Sequence, residues 1–208
     1  MKKIHIGIAV LALSVLAGCG SASVAATAKA SASASAKTIP TVRADVQYAD
    51  MSKYKTYSDT TEYHFVETTL AQAKEMRDAK ATFALFMGYS ECAYCNAAMP
   101  VINADAVKYG VDVYYVDTAA AQKDGSLDEY HDDIVDQFKD EFPQEEDGSY
   151  SIHVPIIAFY VNGELYNYHV GFVEDYDPTN GLPTTEELTQ YVSIIDPSFQ
   201  KVVGHDRD

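Results

Sequence analysis

Two cysteines three positions apart, in Cys92-Ala93-Tyr94-Cys95, are the residues of this chain best suited to chemistry. By themselves they fit a redox dithiol, a structural disulfide or half of a zinc site. Their setting favours the first. The apolar stretch 81–87 precedes them and reads as a buried strand, and 92–109 has helical spacing. Cysteines one turn apart at a helix start share a face and can close a small ring. Unpaired amides and the macrodipole at that helix end favour a thiolate. Thiol–disulfide exchange needs this pairing of an activated sulfur with a second sulfur within reach. The metal alternative, zinc or copper, would recruit His153 beside Cys92 and Cys95.

The elements that must position the pair can be read around it. Tyr63-His64-Phe65-Val66 reads as a short strand, and Thr69-Leu70-Ala71-Gln72 as a capping box opening a helix to about Ala79. Pro100 falls inside the dithiol helix and should kink it. The stretch 111–116 is the next strand. Ser126-Leu127-Asp128-Glu129 reads as a second capping box, and Leu127, Tyr130, Ile134, Phe138 and Phe142 stripe the helix that follows. The stretches 156–161 and 164–170 read as a hairpin about Asn162-Gly163. Thr184-Thr185-Glu186-Glu187 opens a last helix to about Ile195. The order β-α-β-α-β-α-β-β-α predicts an α/β fold with a central mixed sheet and helices on both faces.

Bulk properties bound the rest. The chain has 208 residues and a formal charge of −16, a balance that repels nucleic acid. The acidic stretch 124–147 lacks the alternating oxygen ligands of a calcium loop and reads as a solvated helix face. No histidine pairs with a serine or acid at a hydrolase spacing, and no glycine-rich phosphate loop is present. Tyr89 and Tyr94 flank the dithiol and are candidates for contact with a substrate.

The N-terminus predicts an address. Lys2 and Lys3 precede an apolar run at 4–17, too short to span a bilayer and suited to export. Leu16-Ala17-Gly18-Cys19 resembles the lipobox of bacterial lipoproteins, which implies that Cys19 is lipidated and becomes the first mature residue. The resulting expectation is a signal peptide at 1–18, a lipidated flexible tether at 19–59, a domain at 60–200 and a tail at 201–208. Residues 20–37 are nearly all Ser, Ala, Thr and Val, and 38–59 are expected to pack loosely, if at all. Location would then be the extracytoplasmic face of the cell membrane. With Cys19 lipidated, two of the three cysteines remain, and they can pair only with each other.

Further spacings carry a family resemblance. Pro100 lies five residues after Cys95, Val154-Pro155 stands just before the hairpin strand, Gly163 lies eight residues beyond Pro155, and Gly171 sixteen beyond it. With the dithiol, these resemble a thioredoxin-fold thiol–disulfide oxidoreductase over roughly 60–196. Phe86-Met87-Gly88-Tyr89-Ser90-Glu91 and Tyr114-Tyr115-Val116-Asp117 are most similar to the thioredoxin-like bacteriocin-transport accessory proteins. The resemblance implies Cys92 as nucleophile, Cys95 as resolving thiol, a cis Val154–Pro155 bond, and Val154 and Pro155 in contact with substrate, to which Tyr94 is added by its place beside the dithiol. It implies protein thiols or disulfides and a redox partner as partners, and no organic cofactor or metal. Glu91 stands where the family usually has tryptophan, and Phe86 where thioredoxins carry a buried aspartate. A reading of another class remains beside this one: a non-catalytic thioredoxin-like module that assists export or assembly of a partner.

Overall fold

The computed structural model describes residues 46–205. The expected signal peptide, Cys19, the tether before residue 46 and the last three residues lie outside them. Strands β1 (Phe65–Glu67), β2 (Phe83–Gly88), β3 (Val113–Asp117), β4 (Ile156–Val161) and β5 (Glu164–Val170) form one sheet in the order β1-β3-β2-β4-β5. β3 runs parallel to β1 and β2, whereas β4 pairs antiparallel with β2 and β5. This mixed sheet with helices on both faces is the α/β, thioredoxin-like fold that the sequence predicts.

Helix α1 (Leu70–Asp78) begins at Thr69, whose side chain exchanges hydrogen bonds with Gln72 in a full capping box. Helix α2 (Ala93–Tyr109) starts at Cys92, contains Pro100, and ends on Gly110 in the left-handed conformation. Helix α6 (Thr185–His205) covers the same face of the sheet as α2. Ile102, Tyr191 and Phe199 pack there against Phe86 and Phe159. On the other face, Leu70 of α1 and Phe138 join Met87, Ile156 and Tyr160. Every residue of β2 is buried, as expected of a central strand covered on both sides. The β4–β5 turn places Asn162 at φ 53° and Gly163 at φ 78°. A Cβ on Gly163 would stand 2.1 Å from the Arg77 carbonyl, so the tip docks against the end of α1.

Five sequence expectations need correction. The helix expected to run from about 127 to 142 is three short pieces: α4 (Ser126–Glu129), α5 (His131–Phe138) and a 3₁₀ turn at Lys139–Glu141. Ser126 does not cap α4; its N–H is instead held by Asp124 at 2.9 Å. A further helix, α3 (Thr118–Asp124), precedes them, capped by the Asp117 carboxylate through the Ala119 and Ala120 amides. Residues 201–205 continue α6, with Val202 and Val203 buried, because apolar spacing persists past Pro197.

The fifth correction concerns 46–58. Loose packing was expected, yet this segment straps onto the domain. Ala49 N–H donates to the Phe65 carbonyl at 2.8 Å, and Glu67 N–H to the Gln47 carbonyl at 2.9 Å, extending the sheet edge beyond β1. Asp50 caps a 3₁₀ turn at Met51–Lys53. Met51 and Tyr54, three positions apart, are 2% and 3% exposed and enter the α2 face of the core. Two large apolar side chains buried in this way contribute about 1.5–3 kcal/mol each, enough to hold a polar segment down.

Candidate functional site

The site is built where β2 ends. Gly88 leads into a short loop, 89–91, and the chain turns into α2 at Cys92. Cys92 is the N-cap, and its Sγ accepts the Cys95 N–H at 3.1 Å. A sulfur thus takes the place usually held by a serine or aspartate oxygen, and the orphan amides of the first turn are aimed at it. Cys95 sits one turn deeper with no exposed surface, whereas Cys92 keeps 8%. Both are unbridged thiols.

This placement separates the two groups. Hydrogen bonding from the Cys95 thiol, and then from the Cys95 and Tyr94 amides, holds the Cys92 thiol below its ordinary range, although burial opposes it. Burial pushes the Cys95 thiol far up, and the hydrogen bond and charge shared with Cys92 add to the rise. The outer thiol gives up its proton more readily than the buried one.

The residues expected around the dithiol are brought to it unevenly. The Val154–Pro155 bond is cis. The Cys92 thiol donates to the Val154 carbonyl at 3.7 Å, so backbone beside that bond faces the outer sulfur. Tyr94 is 39% exposed and rests edge-on against Tyr176, with ring centres 5.6 Å apart. Tyr89 is partly buried against the core. His153 is exposed, and no three His, Cys, Asp or Glu side chains among the described residues form a metal-binding group. Glu91 is exposed, and its carboxylate takes the Ser90 hydroxyl at 2.8 Å.

Several residues of the site lie outside the sequence expectation. Asn96 is buried, and its amide nitrogen donates to the Ser90 carbonyl at 2.6 Å and the Cys92 carbonyl at 2.8 Å. Its amide oxygen accepts the Lys55 N–H at 2.6 Å, and its backbone carbonyl accepts the Thr56 hydroxyl at 2.9 Å. One side chain therefore ties the loop before Cys92 to the strap. Tyr54 of the strap and Tyr115 of β3 bring a hydroxyl pair into the same core. Tyr176 adds an aromatic rim beside Tyr94. The one advance signal for Tyr54 was its spacing from Met51, and nothing in the local sequence of Asn96 or Tyr176 marks them.

A cleft of about 620 Å³ opens elsewhere, beside the strap and the start of α3, with Asp50, Asp117 and Asp124 in its lining. Each of these carboxylates already holds a backbone amide, from Ser52, from Ala119 and Ala120, and from Ser126 respectively. The chemistry of the dithiol has no counterpart there.

No family model matches the chain, and no curated protein matches it. Solved structures do. Thioredoxin O2 from Arabidopsis thaliana, in its oxidised state, is 18% identical, with 67% of this chain and 97% of that chain covered and a TM-score of 0.39. Thioredoxin NaTrxh from Nicotiana alata is 16% identical, with 66% and 96% covered and a TM-score of 0.37. A thioredoxin from Trypanosoma brucei brucei is 12% identical, with 55% and 86% covered and a TM-score of 0.35. What those proteins do remains a statement about them.

Proposed function

We propose that this protein is a thiol–disulfide oxidoreductase acting on protein substrates through Cys92 and Cys95, held by lipid on Cys19 at the extracytoplasmic face of the cell membrane. The observation that carries the exchange chemistry is the asymmetry of the pair. Cys92 Sγ accepts the Cys95 amide at 3.1 Å, while Cys95 is wholly buried behind it. In the reducing direction the Cys92 thiolate attacks a substrate disulfide. A Cys92–substrate disulfide forms, and the other substrate sulfur leaves as a thiolate. Cys95 then gives its proton to water and attacks the Cys92 sulfur. The second substrate thiolate departs, and a Cys92–Cys95 disulfide remains. Two electrons pass to the substrate; run backwards, the same steps oxidise a substrate dithiol. Val154 and Pro155 support a substrate backbone beside Cys92, and Tyr94 supports its side chains. An accessory role in peptide export is compatible with this chemistry and would name its setting.

Substitution Cys95→Ala tests the reading. It should accumulate mixed disulfides with protein partners on non-reducing gels, and Cys92→Ala should not. Accumulation by Cys92→Ala alone would reverse the assignment. If the double Cys→Ala variant fully complements a deletion, the dithiol is incidental and the protein is a binding module.

A further inference from the structure

Tyr54 belongs to the strap, outside the elements that carry the dithiol, yet it ends beside them. Its hydroxyl donates to the Tyr115 hydroxyl at 3.1 Å, and the Tyr115 hydroxyl donates to the Gly88 carbonyl at 3.2 Å. A Cβ built on Gly88 would stand 3.0 Å from Cys95 Sγ. The hydroxyl pair therefore ends on the peptide against which the buried sulfur lies. The same groups are coupled electrically: burial pushes both phenols far above their ordinary range, and negative charge on Cys95 adds to the rise. Phe86, wholly buried and stacked on Tyr115 with ring centres 5.6 Å apart, closes the apolar side of this space. Asn96 fastens the strap from the other direction through Lys55 and Thr56.

Burial makes the Cys95 thiol lose its proton reluctantly, because little besides the Tyr89 and Cys95 amides solvates the thiolate left behind. Hydroxyl rotors nearby lower that barrier, since their dipoles can turn toward new charge. We propose that Tyr54 and Tyr115 are positioning residues for the resolving step, holding the Gly88 peptide and supplying the polar surroundings in which Cys95 ionises. This inference rests on the exchange reading above and deepens it. The step itself is unchanged: the Cys95 proton goes to water, the Cys92–Cys95 bond forms, and the bond from Cys92 to the leaving sulfur breaks. The strap makes the end of the expected tether part of the reacting centre.

The test uses the full chain with Cys19→Ser, so that Cys92 and Cys95 are its two thiols, and the chromogenic disulfide dithiobis(nitrobenzoate). Reaction with Cys92 releases one nitrothiobenzoate at a rate proportional to reagent. Attack by Cys95 releases the second at a rate independent of reagent. Tyr54→Phe keeps the ring and removes the hydroxyl. It should slow the second phase at neutral pH by about two- to tenfold, the span of one hydrogen bond, and move its pH midpoint upward. The first phase should stay within about twofold, because the amides that stabilise Cys92 are untouched. Tyr115→Phe should shift the second phase in the same direction, and the double variant should fall short of the product of the two effects, since the hydroxyls act in one chain. An unshifted pH midpoint in Tyr54→Phe, or an equal slowing of both phases, overturns the inference. Absence of a second phase in the parent overturns the exchange reading itself, and the two failures are thereby distinguished.

Discussion

At the scale of single residues, the dithiol works by unequal depth. Cys92 caps a helix, and Cys95 is buried one turn on. Gly88 makes that depth possible. Any side chain there would press on Cys95 Sγ at 3.0 Å and on Phe86 Cζ at 3.1 Å. Phe86 is locked between Phe65 and Tyr115, so the sulfur is the neighbour that must give way. Gly88→Ala should therefore lower stability by about 1–3 kcal/mol, the usual cost of overpacking. It should also hinder the second sulfur more than the first. Thermal unfolding would measure the former, and lingering of the Cys92 mixed disulfide on non-reducing gels the latter. An alanine variant that closes its disulfide at the parent rate would show that the floor beneath Cys95 is softer than its geometry implies.

At the scale of elements, α2 must be clamped to the sheet along its whole length to keep its first turn in place. Its far half meets α6 at Asp105 and Asp196. Asp105 is buried, and its Oδ2 has no hydrogen-bond partner among the described residues. Burial first, and then the Asp196 charge, push its pKa up from 3.8 to about 6, with Lys108 partly offsetting them. Asp196 takes the Lys108 ammonium, the Tyr109 hydroxyl and the Gln200 amide. The folded state thus prefers Asp105 protonated. That contribution is full below the unfolded value of 3.8 and is lost as pH rises through about 6. Asp105→Asn should be more stable than the parent by about 1–2 kcal/mol near neutral pH, with the difference shrinking toward pH ~4. Urea unfolding at the two pH values checks the sign. Elements with strong periodicity or paired caps were legible in advance: β4 and β5, the box at Thr69 and Gln72, and the dithiol helix with Pro100. Helix α3 was not, because Thr118-Ala-Ala-Ala-Gln-Lys-Asp offers no apolar stripe and depends on the Asp117 cap. The stripe at 127–142 was real, since Ile134, Phe138 and Phe142 are buried, but the chain leaves helical geometry at Tyr130, at φ −98° and ψ 7°. The dithiol was legible as a spacing. Asn96 and Tyr54 were not, because their roles exist only across sequence separations of about 40–60 residues.

At the scale of the whole molecule, a formal charge of −16 disfavours approach to anionic surfaces. No helix among the described residues is long and apolar enough to cross a membrane. Membrane attachment, as proposed, falls to Cys19 alone. Cys19→Ala should move the protein from the membrane fraction to the soluble fraction while leaving the dithiol competent with a soluble disulfide, and persistence in membranes would refute the anchor. The strap has a consequence of another kind. Lys55 reaches Asn96 across 41 residues and Tyr54 reaches Tyr115 across 61, so the inner wall of the thiol chamber is sealed by loop closures among the longest at this site. Long closures carry the largest entropy and come late as a chain condenses. Tyr54 joins the hydroxyl chain that ends on Gly88 against Cys95, so Cys95 should be more open to solvent while the strap is undocked than after it docks. The rate at which a small alkylating reagent finds Cys95 is therefore a clock on the maturation of this protein, running fast in the nascent chain and slowing when the strap docks.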